Sequence, residues 1–147
     1  MNPNIKPSAQ VALLAVKDPV SQAAATVTSG WLSMANVQAI LAVIQTGVLG
    51  TAATVDAKLR QATSSAGADA KDITGKAITQ LVKASNDNDQ AMINCRSDEL
   101  DVNGGFTHVE LSITVGTAAS VISAAVWGFY PRYQPASHVD SVVEVID

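Results

Sequence analysis

The stretch Thr107-His108-Val109-Glu110-Leu111-Ser112-Ile113-Thr114-Val115, continued through Gly116-Thr117-Ala118-Ala119-Ser120 into Val121 to Tyr130 and Pro131-Arg132-Tyr133, decides how the chain is read. Val109, Leu111, Ile113 and Val115 alternate with His108, Glu110, Ser112 and Thr114, which is the period of a strand with one buried and one wet face. The small residues 116–120 read as a turn, and Val121 to Tyr130 is apolar on both faces, with Trp127 and Phe129 on one side and Val126 and Tyr130 on the other. The reading is a hairpin. A strand apolar on both faces needs a second layer over it, so the hairpin argues for a sandwich in place of one open sheet.

Working outward, further strands recur at short intervals. Thr54 to Gln61 alternates, with Val55, Ala57 and Leu59 inward and Asp56, Lys58 and Arg60 outward, and Gln90 to Arg96 alternates in the same way. Val37 to Val48 carries no charge and reads as a central strand covered on both faces, with a helix as its rival; β-branched residues and Gly47 and Gly50 favour the strand. Ala25 to Trp31 is read as a strand over a helical turn for the same reason, and Ile73 to Leu81 as a strand kinked at Gly75. Asn86-Asp87-Asn88-Asp89 is a turn by composition. Val11 to Val16 is a short buried strand or the end of an arm, and Asp18-Pro19 turns the chain after it.

The fold class is therefore all-β, an antiparallel β-sandwich of jelly-roll-like form with extended N- and C-terminal arms. Its divisions are an arm at 1–10, a sandwich domain at 11–133 and a second arm at 134–147. The expected core is Leu41, Val43, Val55, Leu59, Ile93, Leu111, Ile113 and Trp127. Pro3 and Pro7 keep the first arm extended, ordered by a partner. Pro131 and Pro135 separate Val142, Val143, Val145 and Ile146 from the core, so those residues look for cover on a neighbouring subunit. The candidate interface residues are Pro3, Ile5, Pro7, Pro131, Tyr133, Val142, Val143, Val145 and Ile146.

Composition narrows the function. With 147 residues, 48% hydrophobic and 15% charged, the chain is one folded domain, and its many Ala and Val make a thin core that gains from sharing burial, as a homodimer or homotrimer. The net charge of −4, with scattered Lys and Arg, gives no footprint for a phosphate backbone, so nucleic acid is not an expected partner. Trp31 and Trp127 are read as packing anchors, not stacking platforms for bases. Val11 to Val16 is too short for a signal peptide or membrane span, so a soluble, membrane-free chain is expected. Cys95 stands alone, which forbids an internal disulfide and fits a reducing compartment, with a buried inert thiol.

Three constellations could carry chemistry. Glu99, Asp101 and Asn103, with Glu110 as a twelfth position, imitate the spacing of an EF-hand calcium loop, but no helical pattern flanks them, and the other reading is a turn with solvated acids at Asn103-Gly104-Gly105. His108 and Ser112 share a strand face without a third group, and His138 lies in the tail. Lys58, Arg60 and Arg96 face outward, as an anion site or as salt-bridge partners. The chain is read as a non-enzyme with no metal and no cofactor.

The succession Thr28-Ser29-Gly30-Trp31, Val43-Ile44-Gln45-Thr46-Gly47, Thr54-Val55-Asp56-Ala57-Lys58-Leu59, Asp72-Ile73-Thr74-Gly75, Glu99-Leu100-Asp101-Val102, Gly105-Phe106-Thr107-His108-Val109 and Pro131-Arg132-Tyr133 covers nearly the whole chain after the first arm. In this succession the chain resembles small β-sandwich proteins encoded among the virion genes of tailed bacteriophages, found as capsid cement, decoration or head-associated proteins. The resemblance implies a structural role on the capsid exterior, bound to the major capsid protein and made in the host bacterial cytoplasm. It transfers no site residues. The alternatives are a tail- or fibre-associated adhesion module and a small carbohydrate-binding module.

Overall fold

The computed structural model describes residues 1–146. Ten strands form two antiparallel sheets: β1 (Val11–Gln22), β2 (Ala25–Thr28), β3 (Leu32–Ser33), β4 (Ala39–Thr46), β5 (Thr54–Ala62), β6 (Lys71–Ala77), β7 (Leu81–Val82), β8 (Gln90–Arg96), β9 (His108–Gly116) and β10 (Ser120–Phe129). One sheet has the order β1-β10-β4-β8 and the other β2-β9-β5-β6, with β3 on β9 and β7 on β5. Setting aside the two-residue β3 and β7, every pair of consecutive strands crosses between layers except β5 and β6, which are neighbours in one sheet. This is the jelly roll, two Greek keys folded together.

That topology corrects the hairpin. β9 pairs with β2 and β5, whereas β10 pairs with β1 and β4, so the small residues 117–119 carry the chain from one sheet to the other. Thr117 takes φ 69° in this crossover. Composition marks a turn but not which layer the next strand joins, and β10 finds better cover between β1 and β4 than beside β9.

The core lies between the sheets. The β2-β9-β5-β6 sheet contributes Val55, Leu59, Val109, Leu111, Ile113 and Val115, and the β1-β10-β4-β8 sheet contributes Ile40, Ala42, Ile44, Ile93, Ile122, Ala124 and Val126. Val55, Leu59, Ile93, Leu111 and Ile113 were expected there. Leu41, Val43 and Trp127 are not in it: they occupy the outer face of β4 and β10 and are half-buried. On strands apolar at every position, alternation cannot tell the two faces apart, and at the end of β10 packing puts the smaller Val126 and Gly128 inward and Trp127 and Phe129 outward. Gly128 shows why, since a Cβ there would stand 2.7 Å from Val37 Cγ1 and 2.9 Å from Leu14 Cδ1. The outer faces of these two strands are thus without a covering layer among the described residues.

Two more expectations change at the N-terminus. β1 runs straight through Asp18-Pro19, with register shifts at Leu13/Ala15 and Lys17/Val20. Among the described residues β10 is its one strand partner, and an edge strand tolerates a proline whose missing N–H faces outward. The first ten residues are not an extended arm. Pro7–Gln10 forms one helical turn, α1, and the buried Gln10 side chain donates to the carbonyls of Asn2 and Ile5 and accepts from the Asn2 N–H. A buried amide needs its hydrogen bonds met, and here the preceding backbone meets them. The kink at Gly75 is present, with φ 76° beside a register shift between Lys58 and Arg60.

Candidate functional site

One end of the sandwich collects the starts of β1 and β4 and the ends of β8 and β10, because Val11 pairs with Phe129, Phe129 with Ala39 and Ala39 with Arg96. Both terminal segments lie at this end. After Phe129 the chain turns at Tyr130, whose φ of 54° is unusual for a side chain of that size, and Pro131 follows. The turn is held by Gln38 N–H donating to the Phe129 carbonyl and Arg132 N–H to the Asn36 carbonyl. It leaves Tyr130 57% and Tyr133 75% exposed.

The C-terminal segment then folds back onto α1 and β1. Ala136 is buried and donates its N–H to the Ala9 carbonyl, and Val139 N–H donates to the Leu13 carbonyl at 2.7 Å. Between them His138 accepts the Leu13 N–H on Nδ1 at 3.1 Å, so its other nitrogen, Nε2, carries the proton and donates to the Ser8 carbonyl at 3.0 Å. The two arms predicted as separate are therefore joined to each other through His138. Sequence reasoning placed His138 in the tail without a role, and only a histidine between Pro135 and a run of valines pointed to it.

Of the candidate interface residues, Pro3 and Pro7 are exposed, Ile5 is half-buried under the Gln10 cap, and Pro131 and Tyr133 line a small groove with Leu14 and Val37. Val142 is half-buried. Val143, Val145 and Ile146 are 96%, 47% and 83% exposed, an apolar run without cover in the single chain. Two clefts open at the same end. One, of about 340 Å³, lies between the arms and is lined by Asn2, Gln10, Gln38, Tyr130 and Gln134. The other, of about 330 Å³, has Met34, Leu100 and Phe106 as floor and Asp98 and Arg132 at its rim.

The three sequence constellations are taken apart by the geometry. Glu99 binds Lys76 at 2.8 Å and the Arg96 N–H, and Asp101 binds Lys71 at 2.7 Å and caps the Gly104 N–H. Those hydrogen bonds, the lysine first in each case, hold both carboxyls below their ordinary values. Glu110 is elsewhere, on the outer face of β9 at 3.4 Å from Arg60. Among the described residues no group of His, Cys, Asp or Glu is arranged to hold a metal ion. His108 meets Thr107 Oγ1, and four residues of extended strand, about 13 Å, separate it from the buried Ser112. Lys58 and Arg60 pair with Asp72, and Arg96 pairs with Asp98, so the outward cations serve salt bridges within the chain. Cys95 is buried, and burial pushes its thiol up to about 11.

No protein-family model matches the chain, and no curated protein sequence does. Among solved structures it is similar to a chain of the cowpea mosaic virus empty virus-like particle, at 11% identity and TM-score 0.46 over 93% of this chain and 87% of that one. A chain of broad bean stain virus is 14% identical, with TM-score 0.44 over 86% and 68%. A xylan-binding domain from Paenibacillus barcinonensis is 9% identical, with TM-score 0.41 over 80% and 83%. At these identities no residue or role passes from them to this chain.

Proposed function

We propose that the chain is a structural virion protein that binds the outside of a tailed-bacteriophage head as capsid cement or decoration, acting as a homo-oligomer and without catalysis. The observation that carries this reading is the convergence of both arms at one end of the jelly roll, where Tyr130 and Tyr133 stand exposed, with the exposed run Val143, Val145 and Ile146 following in the same arm. A scaffold that presents apolar side chains from backbone-tied segments suits docking onto another protein, because little further ordering is needed on binding. The resemblance of the segments around Trp31, Asp56, Glu99 and Tyr133 to head-associated phage proteins supports the same reading. A ligand of the assembled shell that does not bind free subunits stabilises the shell by mass action, and repetition over the lattice turns weak contacts into strong retention.

Co-sedimentation of the purified full chain with heads of the phage that encodes it tests the reading. The chain pellets with heads, and Tyr133→Ala combined with Val143→Asp weakens this at least tenfold while the circular dichroism spectrum stays unchanged. Retention by an oligosaccharide column with none on heads would move the chain to the carbohydrate-binding class, with Tyr130 and Tyr133 as the stacking residues.

A further inference from the structure

The two sheets differ in what they show to solvent. The outer face of β5, β6 and β9 carries Lys58, Arg60 and Asp72, linked by the ion pairs already described to one another and to the buried Glu110, and Asp56, which accepts from the Gln80 amide. The outer face of the β1-β10-β4-β8 sheet is laid out in rows by its register. Val11, Phe129, Ala39 and Arg96 stand side by side, then Leu13, Trp127, Leu41 and Asn94, then Val16, Ala125, Val43 and Met92. All but Arg96 and Asn94 are apolar, and the row beyond, Ser123, Gln45 and Gln90, is polar and uncharged, with the exposed Asp18 of the β1 bulge at its edge. Arg96 sits at a corner with Nε and Nη2 of its guanidinium donating to the two oxygens of the Asp98 carboxylate. Met92 is 63%, Val16 44% and Val121 40% exposed.

We infer that this face is the self-association surface and that its occupant is the same face of a second copy, packed sheet on sheet about a twofold axis. The inference rests on the homo-oligomer part of the reading above and names its geometry. Charge selects the occupant. Each copy carries −4, a net charge that opposes association, and the rows of this face hold a single charged side chain, Arg96, already paired with Asp98, so packing them together adds little to that repulsion. A largely uncharged face fits another like it, and a twofold axis supplies one by matching the patch to itself. Area agrees. Four strands about 4.8 Å apart and eight residues long cover about 500 Å² per copy, so two copies bury about 1,000 Å², the lower bound for a specific interface. Two sheets stacked in this way lie about 10 Å apart with their strands near 30°, a packing the twist of each sheet already allows.

Light scattering coupled to size exclusion reads the outcome on the isolated chain, apart from any head. The wild type runs as a dimer, Val43→Glu weakens association at least tenfold by placing an unpaired charge in the centre of the face, and Lys58→Glu on the other sheet leaves it unchanged. Ala125→Cys supplies a second readout that keeps the apolar face, since Cys95 is buried: a short bismaleimide links it into dimers, while Thr74→Cys is modified without linking. A wild type that stays monomeric at every concentration overturns the inference, and so does a folded Val43→Glu that stays dimeric or an Ala125→Cys that is modified without cross-linking. Head binding by a chain that remains monomeric overturns the face and leaves the head-binding reading in place.

Discussion

The backbone N–H of Leu13 donates to Nδ1 of His138 at 3.1 Å across 125 residues of sequence, and through this bond the C-terminal arm is fastened to the first strand. Nε2 of the same ring reaches the Ser8 carbonyl, so one side chain ties α1, β1 and the tail together. His138→Ala leaves the Leu13 donor without its partner. The expected cost is about 1–2 kcal/mol, seen as a lower melting temperature together with faster hydrogen exchange at Leu13 and Val139. Unchanged exchange at both amides would show that the arm is held by other contacts.

The core side of β4 is set by packing, so paired truncations on its two faces behave differently. Ile44→Ala removes a fully buried side chain and costs about 2–5 kcal/mol. Leu41→Ala, on the half-buried outer face, costs under about 1.5 kcal/mol when measured at concentrations too low for association. Chemical denaturation of the two variants checks this, and equal losses would return Leu41 to the core.

Acid weakens the fold through the carboxylates Asp87, Glu99 and Asp101. Lys83, Lys76 and Lys71 respectively lower their folded values, helped by the backbone N–H groups of Leu49, Arg96 and Gly104. As pH falls the unfolded chain therefore takes up protons first. The stabilisation is complete above the ordinary values, 3.8 for Asp and 4.5 for Glu, and is lost as pH falls through the lowered folded ones. Melting temperature is thus level near neutrality and declines below pH ~4. Lys76→Met combined with Glu99→Gln flattens part of that decline, and an unaltered profile in the double variant would remove this pair from the explanation.

Cys95 is closed to reagents in the folded chain. It is 1% exposed, and burial raises its thiol to about 11, so little thiolate forms near neutral pH. A thiol-directed dye reacts with it at mildly alkaline pH only at the rate of unfolding, and at once in denaturant. Immediate reaction in native buffer would show β8 to be open.

How much of this was legible depended on whether each strand had a wet face. Val55, Ala57 and Leu59 against Asp56, Lys58 and Arg60 fixed the inward side of β5, and Val109 to Val115 did the same for β9. On β4 and β10 the sequence offers apolar residues to both sides, and the choice of Ile44 over Val43, and of Val126 over Trp127, was made by the space between the sheets. The uncovered outer face follows from that choice, so it too was hidden. Gly116 to Ser120 marked a turn correctly, but a layer crossing and a hairpin share that composition. Arm closure depended on Gln10 and His138, polar residues whose partners are backbone groups with no sequence signature.

The central claim is a place on the outside of a phage head, and cryo-electron microscopy of virions made from the genome that encodes this chain tests it most directly. The account predicts jelly-roll density at repeated lattice positions on the head exterior, with the end bearing Tyr130 and Tyr133 against the capsid surface. Density confined to the tail, or none in the virion, would contradict it.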